Sequence, residues 1–309
     1  MSDTLQRFMF DSSPVRGELV EIADAWQQIQ ARRSYPAPVA TVLGEMMAAA
    51  ALLSANLKFN GAIIMQIHGD GPVQLLVVEC DSSLRMRATA KLAADAAIAD
   101  DARLHDLVNL HGHGRFAITL DPADKLPGQQ AYQGIVPLEG DTVAEALQHY
   151  MKASEQLDTR LWLAADAEHA AGMLIQRLPY HGGSDSAALS EQAASETWDR
   201  TSALAATLKR DELLATDIDT LIHRLFWEET LVAFEPAPVR WHCPCTRERV
   251  ANMLRSLGEA EVKDILAERG QVDVSCDFCG KPYAFDAVDC AALFTGNPPA
   301  SDQTPPTVH

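Results

Sequence analysis

Positive charge is scarce in this chain: 25 Lys and Arg stand against 43 Asp and Glu, a formal charge of −18 over 309 residues. A nucleic-acid backbone or an anionic lipid surface is repelled on average, so neither is expected as a partner. A clean membrane span is also missing. The longest apolar stretch, Val39 to Leu57, contains Glu45, Ser54 and Asn56 and reads as a buried helix. The first residues, Met1 to Arg7, lack the basic and apolar regions of a signal peptide. There is no G-x-x-x-x-G-K-[ST] loop to cradle ATP phosphates and no nucleophile-base constellation, so an enzyme is not expected. Cysteine is equally sparse, six in all, yet four of the six crowd together near the C-terminus. Clustered free thiols suit a reducing compartment, here the cytoplasm.

Those four are Cys243-Pro244-Cys245 and Cys276-Asp277-Phe278-Cys279. Two tight thiol pairs offer four soft ligands to one tetrahedral ion, and zinc is the ordinary occupant of such a site. The first pair is C-x-C rather than the C-x-x-C of a zinc ribbon, and Pro244 stiffens it. The spacing leaves two readings open. The site is purely structural with inert thiolates, or the thiolates are also oxidisable, each having a neighbour close enough for a disulfide once the metal leaves. The surrounding segment, Arg240 to Cys290, holds seven basic against nine acidic residues, which argues against a DNA-reading finger.

Hydrophobic periodicity predicts an α+β fold with an N-terminal domain of mixed sheet and helix. Pro36 and Pro38 open the helix over Val39–Leu57, and Asn60-Gly61 closes it. Ala62–His68 and Val73–Val78 flank Gly69-Asp70-Gly71-Pro72 as a hairpin. Leu84–Ala90, Arg115–Leu120 and Tyr132–Pro137 read as further strands, and His111-Gly112-His113 as a turn. Thr142 and Glu145 form a capping-box pattern for a helix running to Leu157. Leu161–Ala164 and Gly172–Leu178 resume the sheet, and the domain ends at residue 180.

Residues 181–238 follow as a linker, hinged at Tyr180–Ser186 and helical from Ser190 to Phe234. Trp198, Ala205 and Leu208 share one face. Leu221, Ile222, Leu225 and Phe226 form the stripe of a second helix, with Lys209-Arg210-Asp211-Glu212 between the two. Packing on the sheet domain accounts for these stripes, but helices so rich in Ala, Thr, Ser and Asp bury modest area and open easily. Residues 239–294 form a small module. Thr246 caps a helix with Val250, Met253, Leu254 and Leu257 on one face, ended by Gly258; Val262, Ile265 and Leu266 mark a second, ended by Gly270. Val272 and Val274 alternate into Cys276, and Tyr283 and Phe285 out of Cys279. So small a core requires metal to stay folded. Cys80 reads as a buried small hydrophobe, Cys290 as a further thiol, and His242 as surplus to a tetrahedron already filled. Residues 295–309, with two Pro-Pro pairs, read as a disordered tail.

Val15-Arg16-Gly17-Glu18-Leu19-Val20, Tyr35-Pro36 with Leu57-Lys58-Phe59, Gly69-Asp70-Gly71-Pro72, and above all Cys243-x-Cys245 with Cys276-x-x-Cys279-Gly280 carry a resemblance. Across nearly its whole length the chain resembles the heat shock protein 33 family of redox-regulated holdase chaperones. The resemblance implies that Cys243, Cys245, Cys276 and Cys279 bind one Zn2+ in a reduced, idle monomer. It further implies that oxidation gives Cys243–Cys245 and Cys276–Cys279 disulfides, frees the metal and unfolds the linker. A homodimer then holds unfolding client proteins without ATP, with Leu221, Ile222, Leu225 and Phe226 as candidate client contacts. Two other classes, a thiol-disulfide oxidoreductase and a constitutive zinc-ribbon interaction module, are separated from this one by what oxidation does.

Overall fold

The structure is a computed structural model that describes residues 3–11, 13–124, 131–179 and 187–295. The chain divides into two compact units, Met1–His242 and Cys243–His309. The expected hinge at 180–186 and the tail beyond residue 295 lie outside the described residues.

The first unit is built around one helix, α2 (Ala37–Ser54), which follows the short α1 (Asp24–Gln30). Fifteen of its eighteen positions are buried, leaving no wet face. It is the one helix among the described residues long and apolar enough to cross a membrane, but its burial marks it as a core helix. Two antiparallel-based sheets pack on it. One contains β1 (Thr4–Phe10), β2 (Val15–Ile22), β8 (Thr159–Ala165), β9 (Ala170–Arg177) and β10 (Leu231–Ala233) in the order β10-β1-β2-β9-β8. The short β11 (Ala237–Pro238) also pairs with β1. The other contains β3 (Gly61–His68), β4 (Val73–Asp81), β5 (Arg85–Leu92), β6 (Arg115–Pro122), β7 (Tyr132–Val136) and β12 (Arg240–Trp241) in the order β12-β5-β4-β3-β6-β7. The predicted hairpin is present, with Ala62 opposite Asp81 and His68 opposite Leu75.

Strand alternation gives the first sheet two apolar faces. Leu5, Val20, Ile22 and Leu174 join the core around α2. Phe8, Phe10, Leu19, Met173 and Ile175 point the other way. That outer face is covered by α5 (Ala187–Ala205), α6 (Arg210–Ala215) and α7 (Ile218–Phe226), which contribute Ala205, Leu213, Leu221 and Phe226. Phe226 stands edge-on to Phe10, ring centroids 5.2 Å apart, and 5.9 Å from Phe8. Gly17 is required beneath them, since a Cβ there would lie 2.2 Å from the Phe8 ring.

Several expectations need correction. Helix α2 ends at Ser54, not at Asn60-Gly61; Gly61 instead opens β3, where a Cβ would lie 2.5 Å from both the Asp121 carbonyl and the Phe59 ring. Leu84 precedes β5, with φ of 56°. After the short α3 (Leu104–Val108), the helix capped by Thr142, α4 (Val143–Ala153), stops four residues before Leu157, because the chain turns through Gln156 at φ 57°. Only half of its capping box forms: Thr142 accepts from the Glu145 N–H, but Glu145 reaches the Asp141 N–H rather than that of Thr142. The linker helices end at Phe226, and Leu231–Ala233 pairs as a strand with Phe8–Phe10, where the open edge of β1 offers hydrogen bonds that a further helical turn lacks. Arg210-Asp211-Glu212, expected between two helices, begins the separate α6.

The second unit comprises α8 (Arg247–Leu257), α9 (Glu259–Arg269), the hairpin β13 (Val272–Ser275) with β14 (Pro282–Phe285), and α10 (Ala287–Phe294). Its core is small: Ala251, Leu254, Val262, Val272, Tyr283, Phe285, Cys290 and Leu293. Met253 and Leu257, expected on the buried face of α8, are 45% and 48% exposed; Ala251 takes the inner position. Helix α10, which buries Cys290, was not anticipated.

Candidate metal centre

Each cysteine pair owes its position to a local device. Cys243 and Cys245 lie just before α8, whose first turn is closed by the Thr246 side chain accepting from the Arg249 N–H at 3.2 Å. Arg247 then fastens this segment. Its guanidinium donates to the Ala284 carbonyl at 2.7 Å, pairs with Asp289 at 2.6 Å and lies 4.2 Å over the Phe285 ring. The positive end of α8 therefore sits beside Cys245, where it favours thiolate. Cys276 and Cys279 occupy the loop of the β13–β14 hairpin. Cys276 N–H donates to the Lys281 carbonyl at 3.0 Å, and Gly280, at φ 72°, donates back to the Cys276 carbonyl at 2.8 Å. This C-x-x-C sits in a hairpin loop, not at a strand-to-helix junction of the thioredoxin kind.

The two pairs converge. All four sulfurs lie within 4.8 Å of one another, with Cys243 Sγ 3.7 Å from Cys276 Sγ and Cys245 Sγ 3.3 Å from Cys279 Sγ. A tetrahedron with metal–sulfur bonds of about 2.3 Å has edges of about 3.8 Å, so the donor set fits one zinc ion by both chemistry and size. None of the four is in a disulfide, and all are half-buried.

Electrostatics within the set are strongly unequal. Burial opposes ionisation of Cys245, but the Tyr283 hydroxyl and the neighbouring thiols outweigh it and draw its pKa down to about 7. Cys279 is pushed up to about 12, by burial first and by the same thiols, against the Lys281 backbone group that favours its thiolate. Of these two coupled thiols, Cys245 is drawn toward thiolate and Cys279 is held as thiol. The Tyr283 hydroxyl is buried without a hydrogen bond of ordinary geometry, and its own ionisation is pushed up by burial and by the Cys245 sulfur.

The other singled-out residues lie apart from this centre. Cys80 is fully buried, and burial pushes its thiol up to about 12, making it an inert core residue. Cys290 is 4% exposed and also shifted up by burial. His242 is not among the clustered donors; its N–H bonds the Met86 carbonyl. The His111-Gly112-His113 turn is held by Asp70, which accepts from both histidine N–H groups. Leu221 and Phe226 are buried, and Ile222 and Leu225 partly buried, all against the first sheet. Sequence reading places Tyr283 on the strand out of Cys279 without a part in the site, and misses Arg247; the three-residue spacing of Asp286 and Asp289, the cap of α10, is the available signal for the helix whose Asp289 pairs with Arg247.

A sequence model of the family described as "Hsp33 protein" matches residues 3–286. The "33 kDa chaperonin" of Chromobacterium violaceum is 50% identical over 293 residues, covering 94% of each chain. That of Methylobacillus flagellatus is 48% identical over 296 residues, covering 96% of this chain and 95% of the relative. The crystal structure of the 33 kDa chaperonin of Thermotoga maritima superposes with a TM-score of 0.75 over 94% of this chain and 97% of that one, at 21% identity, and so shares the fold.

Proposed function

The chain belongs to the Hsp33 family, and on that premise we propose that it is a redox-regulated, ATP-independent holdase chaperone of the cytoplasm, not an enzyme. The observation that carries this reading is the convergence of four cysteine sulfurs, none in a disulfide, within 4.8 Å in a unit whose own core is too small to be robust. Cys243, Cys245, Cys276 and Cys279 hold one Zn2+ in the reduced state. Bound there, the ion supplies cross-linking energy to residues 239–294, roughly 10–16 kcal/mol for structural zinc in small peptides.

Oxidation acts on the cysteines. Each zinc-bound thiolate pair gives two electrons to one hydrogen peroxide, which takes two protons from solvent, so that one sulfur–sulfur bond and two waters form per peroxide. Once Cys243–Cys245 and Cys276–Cys279 are disulfides, no thiolate ligand remains, and the small module loses what held it. His242, hydrogen-bonded to β5, immediately precedes Cys243, so disorder in the module reaches the end of the 181–238 linker through the chain itself. The helices of that linker cover Phe8, Phe10, Met173 and Ile175 with Leu221, Ile222, Leu225 and Phe226. Their departure bares two apolar surfaces, one on the sheet and one on the freed helices, of the kind that grips apolar segments of unfolding clients. The same surfaces account for homodimerisation of the oxidised form, the reduced form being a monomer. The 1–180 domain remains folded throughout, and residues 295–309 take no part.

The test is aggregation of a heat-denatured client, measured by light scattering with reduced protein, with peroxide-treated protein, and after thiol reduction with zinc restored. Suppression only in the oxidised sample, reversed by reduction, supports the reading. Equal activity in all three, or none in any, overturns it.

A further inference from the structure

Helix α2 carries a single charged residue, Glu45, in a segment otherwise made of Ala, Val, Leu, Met and other small residues. Its side chain is 12% exposed, and burial holds the carboxyl above the usual range, an effect that Arg210 offsets in part. Such a carboxylate is costly unless paired. Its partner comes from 165 positions away: Arg210, the first residue of α6, donates from Nη1 to Glu45 Oε1 at 3.0 Å. The other arm, Nη2, donates to the carbonyl of Ala165, the last residue of β8. Gly44 makes room for this node, since a Cβ on it would lie 2.5 Å from that of Ala165.

The other ion pairs of the linker helices among the described residues have a different reach. Arg200 pairs with Glu229, and Arg224 with Glu212, both within the helical segment and the turn that follows it. These pairs make α5–α7 cohere, whereas Arg210 fastens them to α2 and β8. We propose that Arg210 is the latch, and Glu45 its keeper, that holds the α5–α7 cover on the outer face of the first sheet, so that the ease of uncovering is set by this node as well as by the cysteines. The proposal rests on the reading of the chain as a holdase that uncovers this face.

The asymmetry of a buried ion pair supplies the test. Arg210→Met leaves Glu45 buried without a partner. In the full-length, reduced, zinc-loaded protein, backbone hydrogen exchange in 194–226 is expected to quicken on the order of tenfold or more, while β3–β6 exchange as before and zinc stays bound. Adding Glu45→Leu removes the stranded charge and should return exchange toward the parent rate. A purely packing role for the Arg210 stem predicts no such rescue. Unchanged exchange in Arg210→Met, equal quickening in β3–β6, or a double variant no slower than the single one each overturns the latch. If Arg210→Met does not fold, Arg210→Lys asks the same question, since a single ammonium lacks the rigid fork that reaches Glu45 and Ala165 from separate nitrogens; exchange no faster than the parent's then overturns it. Client aggregation, measured on the same samples, separates the two claims: a helical cover that opens without gain of holdase activity supports the latch and contradicts the functional reading.

Discussion

Cys245 Sγ and Cys279 Sγ stand 3.3 Å apart although 34 positions separate them in the chain. Two helices and a strand intervene, and they contribute only four buried residues, Ala251, Leu254, Val262 and Val272, to the core of this unit. The contact is thus the closure of a long loop, and a metal bridging its ends would contribute more to folding than the apolar residues enclosed.

Cys279→Ser removes one of the four sulfurs. Zinc measured by elemental analysis should fall from about one per chain toward none, and exchange protection should vanish across 243–295 while residues 3–124 keep theirs. Full zinc retention would show that the fourth sulfur is not a ligand.

Gly280 adopts φ of 72°, and a Cβ there would meet nothing within 4 Å. Gly280→Ala therefore costs backbone conformation alone, about 1 kcal/mol, and should weaken zinc retention about fivefold in competition with a chelator. An unchanged affinity would mean that the loop tolerates another conformation.

Phe226→Ala deletes the ring that meets Phe8 and Phe10. The loss, about 3–5 kcal/mol, falls on the cover and not on the α2 core, so exchange should quicken in α7 while zinc stays bound. The variant should also need less oxidant to become active. Global unfolding at unchanged oxidant sensitivity would contradict this.

Glu18 is 1% exposed on the inner face of β2, and burial, partly offset by Arg16, Asn56 and Arg7, raises its pKa to about 7. An acid with a raised folded-state pKa binds its proton more tightly when folded. Its contribution is therefore most favourable below about pH 4.5 and is lost as pH rises through about 7, by up to about 3 kcal/mol. Urea unfolding of the parent and of Glu18→Gln should converge at low pH and diverge in favour of the variant by pH 8. A difference constant across that range would show that Glu18 does not titrate there.

What the sequence made legible follows from range. The hairpin at 69–72, the helix from Pro36 and the cap at Thr142 are written within a few residues, and the four cysteines announce a cluster able to hold a metal by type and spacing. Leu231–Ala233 was read as helix because nothing local says that the edge of β1 is free. Met253 and Leu257 share a helical face with Leu254, but too little chain exists in the second unit to cover it. Glu45 looked like an interruption in an apolar run; its partner Arg210 lies in another segment altogether, and no local pattern links them.

The most direct test follows zinc and activity together as oxidant is added. A chromophoric chelator reports metal released per chain, and light scattering of a denaturing client reports holdase activity on the same aliquots. The account predicts that about one zinc leaves per chain, that activity rises in proportion to it, and that thiol reduction with zinc reverses both. Zinc retained at full activity, or released with no activity appearing, would contradict the claim that the four cysteines are the switch.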